Sequence, residues 1–404
     1  MKYGKDIYVN AVNWTKQKVL FGVVTFICLF AGCSAKKEYQ TENMRRWLQE
    51  AKLEEKESAE ELYQAALTED TLVIYSVSSR AFEVKEQFEK EYPGLTVEIK
   101  DVRGEDIVNM LIKNYENEDY ACDVVICSDC DGSLYKKLLE PGVVYSYLPW
   151  DIAPKMNERH ASRELVFSGE ALMMFYNTNV FSNQPIHNIW ELTEEKYRGR
   201  IMLASPLSSF SSYGFCSSIL SESDNIAKAY ESYKGKTLTI PKGQCAGEVF
   251  LEKVKQNIVF TNSSDEVLEG VGGKGNEDMW IGIMVSSKMR YQELGYHFSP
   301  IYQLDPFAAV YTPNSVTIAG GARNVNTAKL FIRYLVGEAS GDGEGLKPFN
   351  TVGAWSTRID VEDGNEVPIS DIDMIDLDKN YLYENEDMLR EFWKKVLKES
   401  ALQE

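Results

Sequence analysis

Four short segments concentrate side chains able to grip a small polar solute. They are Ser78, Ser79 and Arg80 in one run, and Ser128 and Asp129 in a second. The third holds Ser208, Ser209, Ser211 and Ser212, and the fourth Ser286, Ser287 and Lys288. Hydroxyl donors beside a guanidinium or an ammonium suit an oxyanion, because charge-assisted hydrogen bonds are short and strong. The same hydroxyls serve equally well as helix caps and polar turns. A second, opposite set is available to a polyamine, which needs carboxylates and an aromatic face: Asp129, Asp131, Glu277, Asp278, Trp280 and Asp305. Each of these residues taken alone also fits a solvated surface.

Other chemistries find less support. The chain of 404 residues has three His (His160, His187, His297), no HExxH and no spaced His pair, which argues against a zinc enzyme. No GxSxG nucleophile motif is present. Abundant carboxylates offer glycosidase-like pairs, but every acidic protein does. Cys127 and Cys130 have CxxC spacing without a second CxxC, and with Cys122, Cys216 and Cys245 they form an odd set. Buried inert thiols or a local disulfide account for them. Lys and Arg number 43 against 62 Asp and Glu, a net charge of −19 that repels phosphate backbones and argues against nucleic acid. A non-enzymatic, cofactor-free binder of a small molecule is the reading these residues favour.

At the amino terminus, Lys2, Lys5, Lys16 and Lys18 precede an uncharged run over residues 19–32. At about 1.5 Å per residue that run is short for roughly 30 Å of hydrocarbon. A basic leader, a short apolar run and small residues form the secretory pattern. Ala31-Gly32-Cys33 resembles a bacterial lipobox, in which the cysteine is acylated and becomes the new terminus. An uncleaved anchor with Cys33 as an ordinary thiol is the alternative, and either way the body is extracytoplasmic. Residues 1–32 are therefore read as a signal peptide and 33–57 as a lipid-anchored tether and helix.

The body must then position the four segments. TLVIYS (71–76), LTVEIKDV (95–102) and DVVICSD (123–129) read as strands separated by helices, so right-handed βαβ units and a parallel sheet are expected. Ligands bind beyond the carboxyl ends of such strands, here Ser76 to Arg80 and Cys127 to Asp131. A second block offers the strand of ALMMFYNTNVF, a helix in IWELTEEKYRG, the strand RIMLASP (200–206) and a helix opening at the serine cluster. MWIGIMVSS (279–287) is a buried strand that runs into Lys288. SVTIAGGARNVNTAKLFIRYLVGE (315–338) reads as strand, turn and helix, and EDMLREFWKKVLKES as a closing helix.

ELYQAALTEDTLVIYSVSS, FEKEYPGLTVEI, DVVICSD, FYNTNVF…IHNIWELTEEKYRGRIMLASP and AKLFIRYLVGE together resemble bacterial solute-binding proteins of ABC transporters, in the ferric-ion, phosphonate and phosphosugar group. The resemblance covers roughly residues 58–396. It implies an α/β, two-lobed type II periplasmic-binding fold with two crossover strands, closing over ligand and delivering it to a permease. It divides the chain into lobe 1 (58–168 plus 300–404) and lobe 2 (169–299), with crossovers near 165–176 and 296–310. It also implies a monomer held at the membrane through Cys33. A ligand sensor feeding a receptor kinase is the alternative use of that fold. In ferric binders a His and a Glu from one lobe and paired tyrosines from the other hold iron. Here the matching loops read Ser76-Val77-Ser78-Ser79-Arg80 and Ser286-Ser287-Lys288. Fe(III) needs anionic oxygen ligands, so a phosphosugar or phosphonate is favoured over iron, with a polyamine kept as a further alternative.

Overall fold

Short runs of Val, Leu and Ile build two sheets. The structure, a computed structural model, describes residues 41–161 and 164–401. The expected signal peptide and lipidated Cys33 lie outside those residues. In chain order the strands are β1 (Leu72–Ser76), β2 (Val97–Asp101), β3 (Val124–Cys127), β4 (Val144–Tyr145), β5 (Leu165–Ser168), β6 (Ala171–Asn177) and β7 (Ile201–Ala204). Then follow β8 (Ile258–Thr261), β9 (Ile281–Val285), β10 (Phe298–Pro300), β11 (Ala309–Tyr311), β12 (Asn314–Ala319) and β13 (Met374–Asp376). The first sheet runs β2-β1-β3-β12-β4, with β5 also on β12. The second runs β13-β11-β6-β9-β7-β8, with β10 also on β6.

The expected parallel pairing holds for β1 with β2 and β3. It fails for β12, which pairs antiparallel with β3, β4 and β5 because it returns from the second sheet. Both sheets are therefore mixed. Helices α1 (Glu42–Ala51) and α2 (Ala59–Ala66) precede β1, and the βαβ helices are α3 (Arg80–Glu91) and α4 (Gly104–Glu116). A capping box between Ser58 and Glu61 starts α2, and Pro93-Gly94, with Gly94 at φ +96°, follows the end of α3. The segment expected as tether is partly docked, since Met44 is buried and Trp47 Nε1 donates to Ala322 O at 2.9 Å.

Around the second sheet lie α5 (Phe210–Ser221), α6 (Ser223–Lys234), α7 (Ala246–Val254) and α8 (Ser264–Gly272), and α9 (Val325–Leu335) packs on the first. IWELTEEKYRG is not one helix but two short 3₁₀ turns, Ile189–Thr193 and Glu195–Tyr197. Ile189, Trp190 and Leu192 are all buried, a spacing that a regular helix would spread over several faces. The closing helices α10 (Lys379–Glu384) and α11 (Glu386–Ala401) bury Leu382, Leu389, Trp393 and Val396 in the core of the second lobe.

The lobe boundaries therefore differ from those read in the sequence. Residues 300–311 and the carboxyl-terminal strand and helices join the second lobe rather than the first. The chain crosses between sheets at residues 169–170, between β5 and β6, and again between β11 and β12. Thr312 N donates to Glu170 O at 2.8 Å, tying the two crossovers side by side. The first crossover is also bridged to the segment around Trp355, because Gly169 and Trp355 exchange two backbone hydrogen bonds of 2.7 and 2.8 Å.

Candidate functional site

Both crossovers form part of the wall of a cleft of about 320 Å³. Four helices present their first turns to it: Ser79 and Arg80 of α3, Arg103 and Gly104 of α4, Ser208, Phe210 and Ser211 of α5, and Ser264 and Asp265 of α8. The first N–H groups of a helix have no partner within it and carry a partial positive charge. Ser209 caps α5 and Ser263 caps α8, but neither α3 nor α4 has a side-chain cap. The two lobes touch here. A Cβ on Gly104 would lie 2.5 Å from Cδ1 of Phe210, so glycine is what permits the approach.

Hydroxyls dominate the lining: Ser78, Ser79, Ser128, Ser208, Ser211, Ser264, Ser287 and Thr312, with the amide of Asn314. Four cations, Arg80, Arg103, Lys288 and Arg290, face three acids, Asp101, Glu170 and Asp265. Arg80 and Glu170 form a buried ion pair, their side chains 8% and 6% exposed. Ser287 Oγ donates to the other Glu170 oxygen at 2.9 Å, and the Arg80 guanidinium stacks on Phe349 at 4.3 Å. Nη1 of Arg80 is buried without a hydrogen-bond partner. Lys288 pairs with the exposed Asp265, and Arg103 with Asp106 at 3.2 Å.

Of the candidates named above, Ser78, Ser79, Arg80, Ser128, Ser208, Ser211, Ser287 and Lys288 come together in the cleft. The others do not line it. Asp129 is fully buried, accepts from Leu134 N at 3.2 Å and pairs with Lys379 at 3.3 Å. Ser286 Oγ donates to Gly353 O and accepts from Ala171 N, a structural bridge beside the first crossover. Ser209 is spent as the α5 cap, and Ser212 is turned into the core. Trp280 precedes β9, at the strand end opposite Ser287, where it packs on Phe181 and Tyr197 under Arg200.

The polyamine set is likewise dispersed. Asp131 accepts from Ser133 N at 2.8 Å, and Asp305 accepts from Asn188 at 3.0 Å. Glu277 and Asp278 are exposed beside Arg200. Burial pushes the Asp131 carboxyl up to about 6, helped by the nearby charges of Asp129 and Glu386. Although burial opposes its charge, Asp129 and Glu164 drive the Lys379 ammonium further up than usual. Cys122, Cys127, Cys130 and Cys216 are free and buried, and burial raises all four thiols, so none is a ready nucleophile. Among the described residues, no group of three or more His, Cys, Asp or Glu could hold a metal ion.

Asp101, Arg103, Glu170, Phe210, Ser264, Asp265, Arg290, Thr312 and Asn314 join the cleft without having been singled out in the sequence. Asp101 ends β2 and Arg103 precedes α4, a strand end to which the same carboxyl-end rule extends although the sequence reading named only those of β1 and β3.

The family model described as bacterial extracellular solute-binding protein matches residues 81–341, more than half of the chain. Among curated proteins none matches it in sequence. Its fold is similar to that of the periplasmic binding protein AfuA from Actinobacillus pleuropneumoniae with exogenous fructose-6-phosphate bound. That match has 17% identity and a TM-score of 0.60, over 81% of this chain and 99% of that one. Iron-bound HitA from Pseudomonas aeruginosa matches with 15% identity and a TM-score of 0.60, over 81% and 99%. The Atu4243-GABA receptor matches with 14% identity and a TM-score of 0.57, over 81% and 97%. The two-lobed α/β fold is thus shared across proteins with quite different ligands.

Proposed function

The chain belongs to the bacterial extracellular solute-binding proteins, non-enzymatic components of ABC-type transport, and from that premise we propose that its solute is a polyol carrying an anionic phosphoryl or phosphonyl group. The observation that carries the reading is the convergence of four helix amino termini, two of them without side-chain caps, on a cleft lined by eight hydroxyls. Helix amino termini favour anions through unpaired N–H groups and the macrodipole. Hydroxyls and Asn314 suit the remaining hydroxyls of a sugar. The cleft's cations exceed its acids by one, which adds to that preference. A polyamine would meet too many positive groups, and Fe(III) would find no ligating cluster of acids among the described residues. The fructose-6-phosphate complex of the similar AfuA fold agrees with this choice, whereas the iron of HitA does not transfer.

Delivery to a permease follows from the family. The finer placement, attachment to the outer face of the membrane through a lipid on Cys33, rests on the sequence Ala31-Gly32-Cys33 alone. Among the described residues no helix is long and apolar enough to cross a membrane.

Thermal-shift titration of the full-length protein tests the ligand class, with fructose 6-phosphate, 2-aminoethylphosphonate, spermidine and Fe(III) as probes. A ligand at 100 times its dissociation constant stabilises by about 2.7 kcal/mol. The phosphoryl or phosphonyl probes should raise the melting temperature. A shift produced only by spermidine or by Fe(III) overturns the proposal.

A further inference from the structure

A second hollow adjoins the serine-lined cleft. It measures about 320 Å³ and opens between α3 and the loop around Pro348, lined by Glu83, Gln87, Thr351 and the ion pair of Lys347 with Glu344. Two residues belong to both hollows, Arg80 and Arg290, so the pair forms the waist where they abut.

The waist has unmet hydrogen-bonding and charge demands. Arg80 is more than nine-tenths buried, yet its Nη1 has no hydrogen-bond partner. A buried N–H of a charged group left unbonded is costly, and a small shift of the guanidinium toward either hollow would let a ligand oxygen accept from it. Arg290 has no carboxylate partner among the described residues; its Nη1 donates to Ser287 O and its guanidinium lies 4.8 Å from the Tyr291 ring. With Glu170 paired to Arg80, the three groups sum to one positive charge. That charge matches a singly ionised group, and the hollows on its two sides call for substituents in both directions.

We infer that the solute is a phosphodiester. Its phosphate sits at the Arg80–Arg290 waist, a polyol head fills the serine-lined cleft, and a second polar substituent reaches the outer hollow beside Gln87 and Lys347. The inference rests on the anionic-polyol reading above and narrows it. A phosphomonoester carries close to two charges at pH 7, since its second pKa is about 6, and it ends at the phosphate. A diester carries one and continues on both sides.

Isothermal titration of the full-length protein with glycerophosphoglycerol and glycerophosphoinositol, against glycerol 3-phosphate and fructose 6-phosphate, is the test. The diesters should bind at least tenfold tighter than the monoesters. Gln87 is exposed on α3, so Gln87→Trp fills the outer hollow without disturbing the core. That variant should keep the wild-type melting temperature, lose tenfold or more for the diesters, and stay within twofold for the monoesters. If monoesters bind as tightly as diesters, or if Gln87→Trp leaves diester affinity unchanged, the diester assignment is wrong while the anionic-polyol reading stands. If neither class binds, both fall.

Discussion

Removing one carboxylate at the first crossover should cost the protein a large share of its stability. Glu170 has only 6% of its side chain exposed, and its oxygens are taken by Arg80 and Ser287. Glu170→Ala leaves the Arg80 guanidinium buried with no counterion, and breaking a buried pair in this way costs about 3–5 kcal/mol. The orphaned Ser287 hydroxyl adds about 1 kcal/mol. Almost no solvent reaches either partner, so screening reduces these figures little. Urea unfolding followed by tryptophan fluorescence should therefore show a much lower midpoint with an unchanged slope. The double variant Arg80→Met/Glu170→Leu removes both charges and should recover most of the loss, because apolar replacement of a buried pair is often neutral. A loss below 1 kcal/mol in Glu170→Ala, or a double variant no better than the single one, refutes the view of this pair as an obligate unit.

Asp131 supplies a pH test of the opposite sense. Burial raises its carboxyl from 3.8 to about 6, so the folded state binds more protons than the unfolded one between those values, and stability falls as pH rises through that window. At about 1.4 kcal/mol per unit the cost at pH 7 is roughly 3 kcal/mol; Asp131→Asn should stabilise at pH 7 and have little effect at pH 3.5, and equal effects at both would contradict the assignment. Hinge closure should appear as compaction in small-angle scattering when the binding ligand is added. Gly104→Leu, whose side chain would run into Phe210, should bind more weakly and compact less; compaction equal to wild type would show that the Gly104–Phe210 approach is not needed. Metabolic labelling with palmitate should mark the wild type and not Cys33→Ala, and equal labelling would exclude lipid attachment at that residue.

Much of the site was readable because strand ends are readable. The run Ser78-Ser79-Arg80 follows β1 and Ser287-Lys288 follows β9, and both lie where open α/β sheets bind ligands. The same rule excludes Trp280, which stands at the other end of β9. Side-chain direction was harder. Ser208 and Ser211 are three apart and share the cleft face, whereas Ser209 and Ser212, one residue on, turn to the cap and the core. That spacing was present in the sequence, but it sorts hydroxyls only once the opening residue of α5 is known. Glu170 had no local signal at all. It is a lone acid in a crossover, and its role comes from Arg80, 90 positions earlier, and Ser287, 117 positions later. The carboxyl-terminal helices were placed on the wrong lobe for a similar reason, since periodicity shows that α11 has an apolar face but not which core receives it.

The acidity of the chain and the anionic ligand proposed for it are compatible because they act over different distances. A net charge of −19 sets the far field, which salt screens beyond about 8 Å. Inside the cleft, four helix ends, Arg80, Arg290 and Lys288 line the space open to a ligand. Three of the four lining cations already have a carboxylate partner, Glu170, Asp265 or Asp106. The site is therefore close to neutral before ligand arrives, which lets Arg80 and Lys288 sit largely buried in the empty protein without an uncompensated charge. Recognition of the proposed ligand then rests on the fit of its oxygens to the unpaired N–H groups of Arg80, α3 and α4 as well as on its single charge. Raising the salt should accordingly speed association, by screening the repulsive far field, while leaving dissociation nearly unchanged, a split that stopped-flow kinetics at two ionic strengths measures directly.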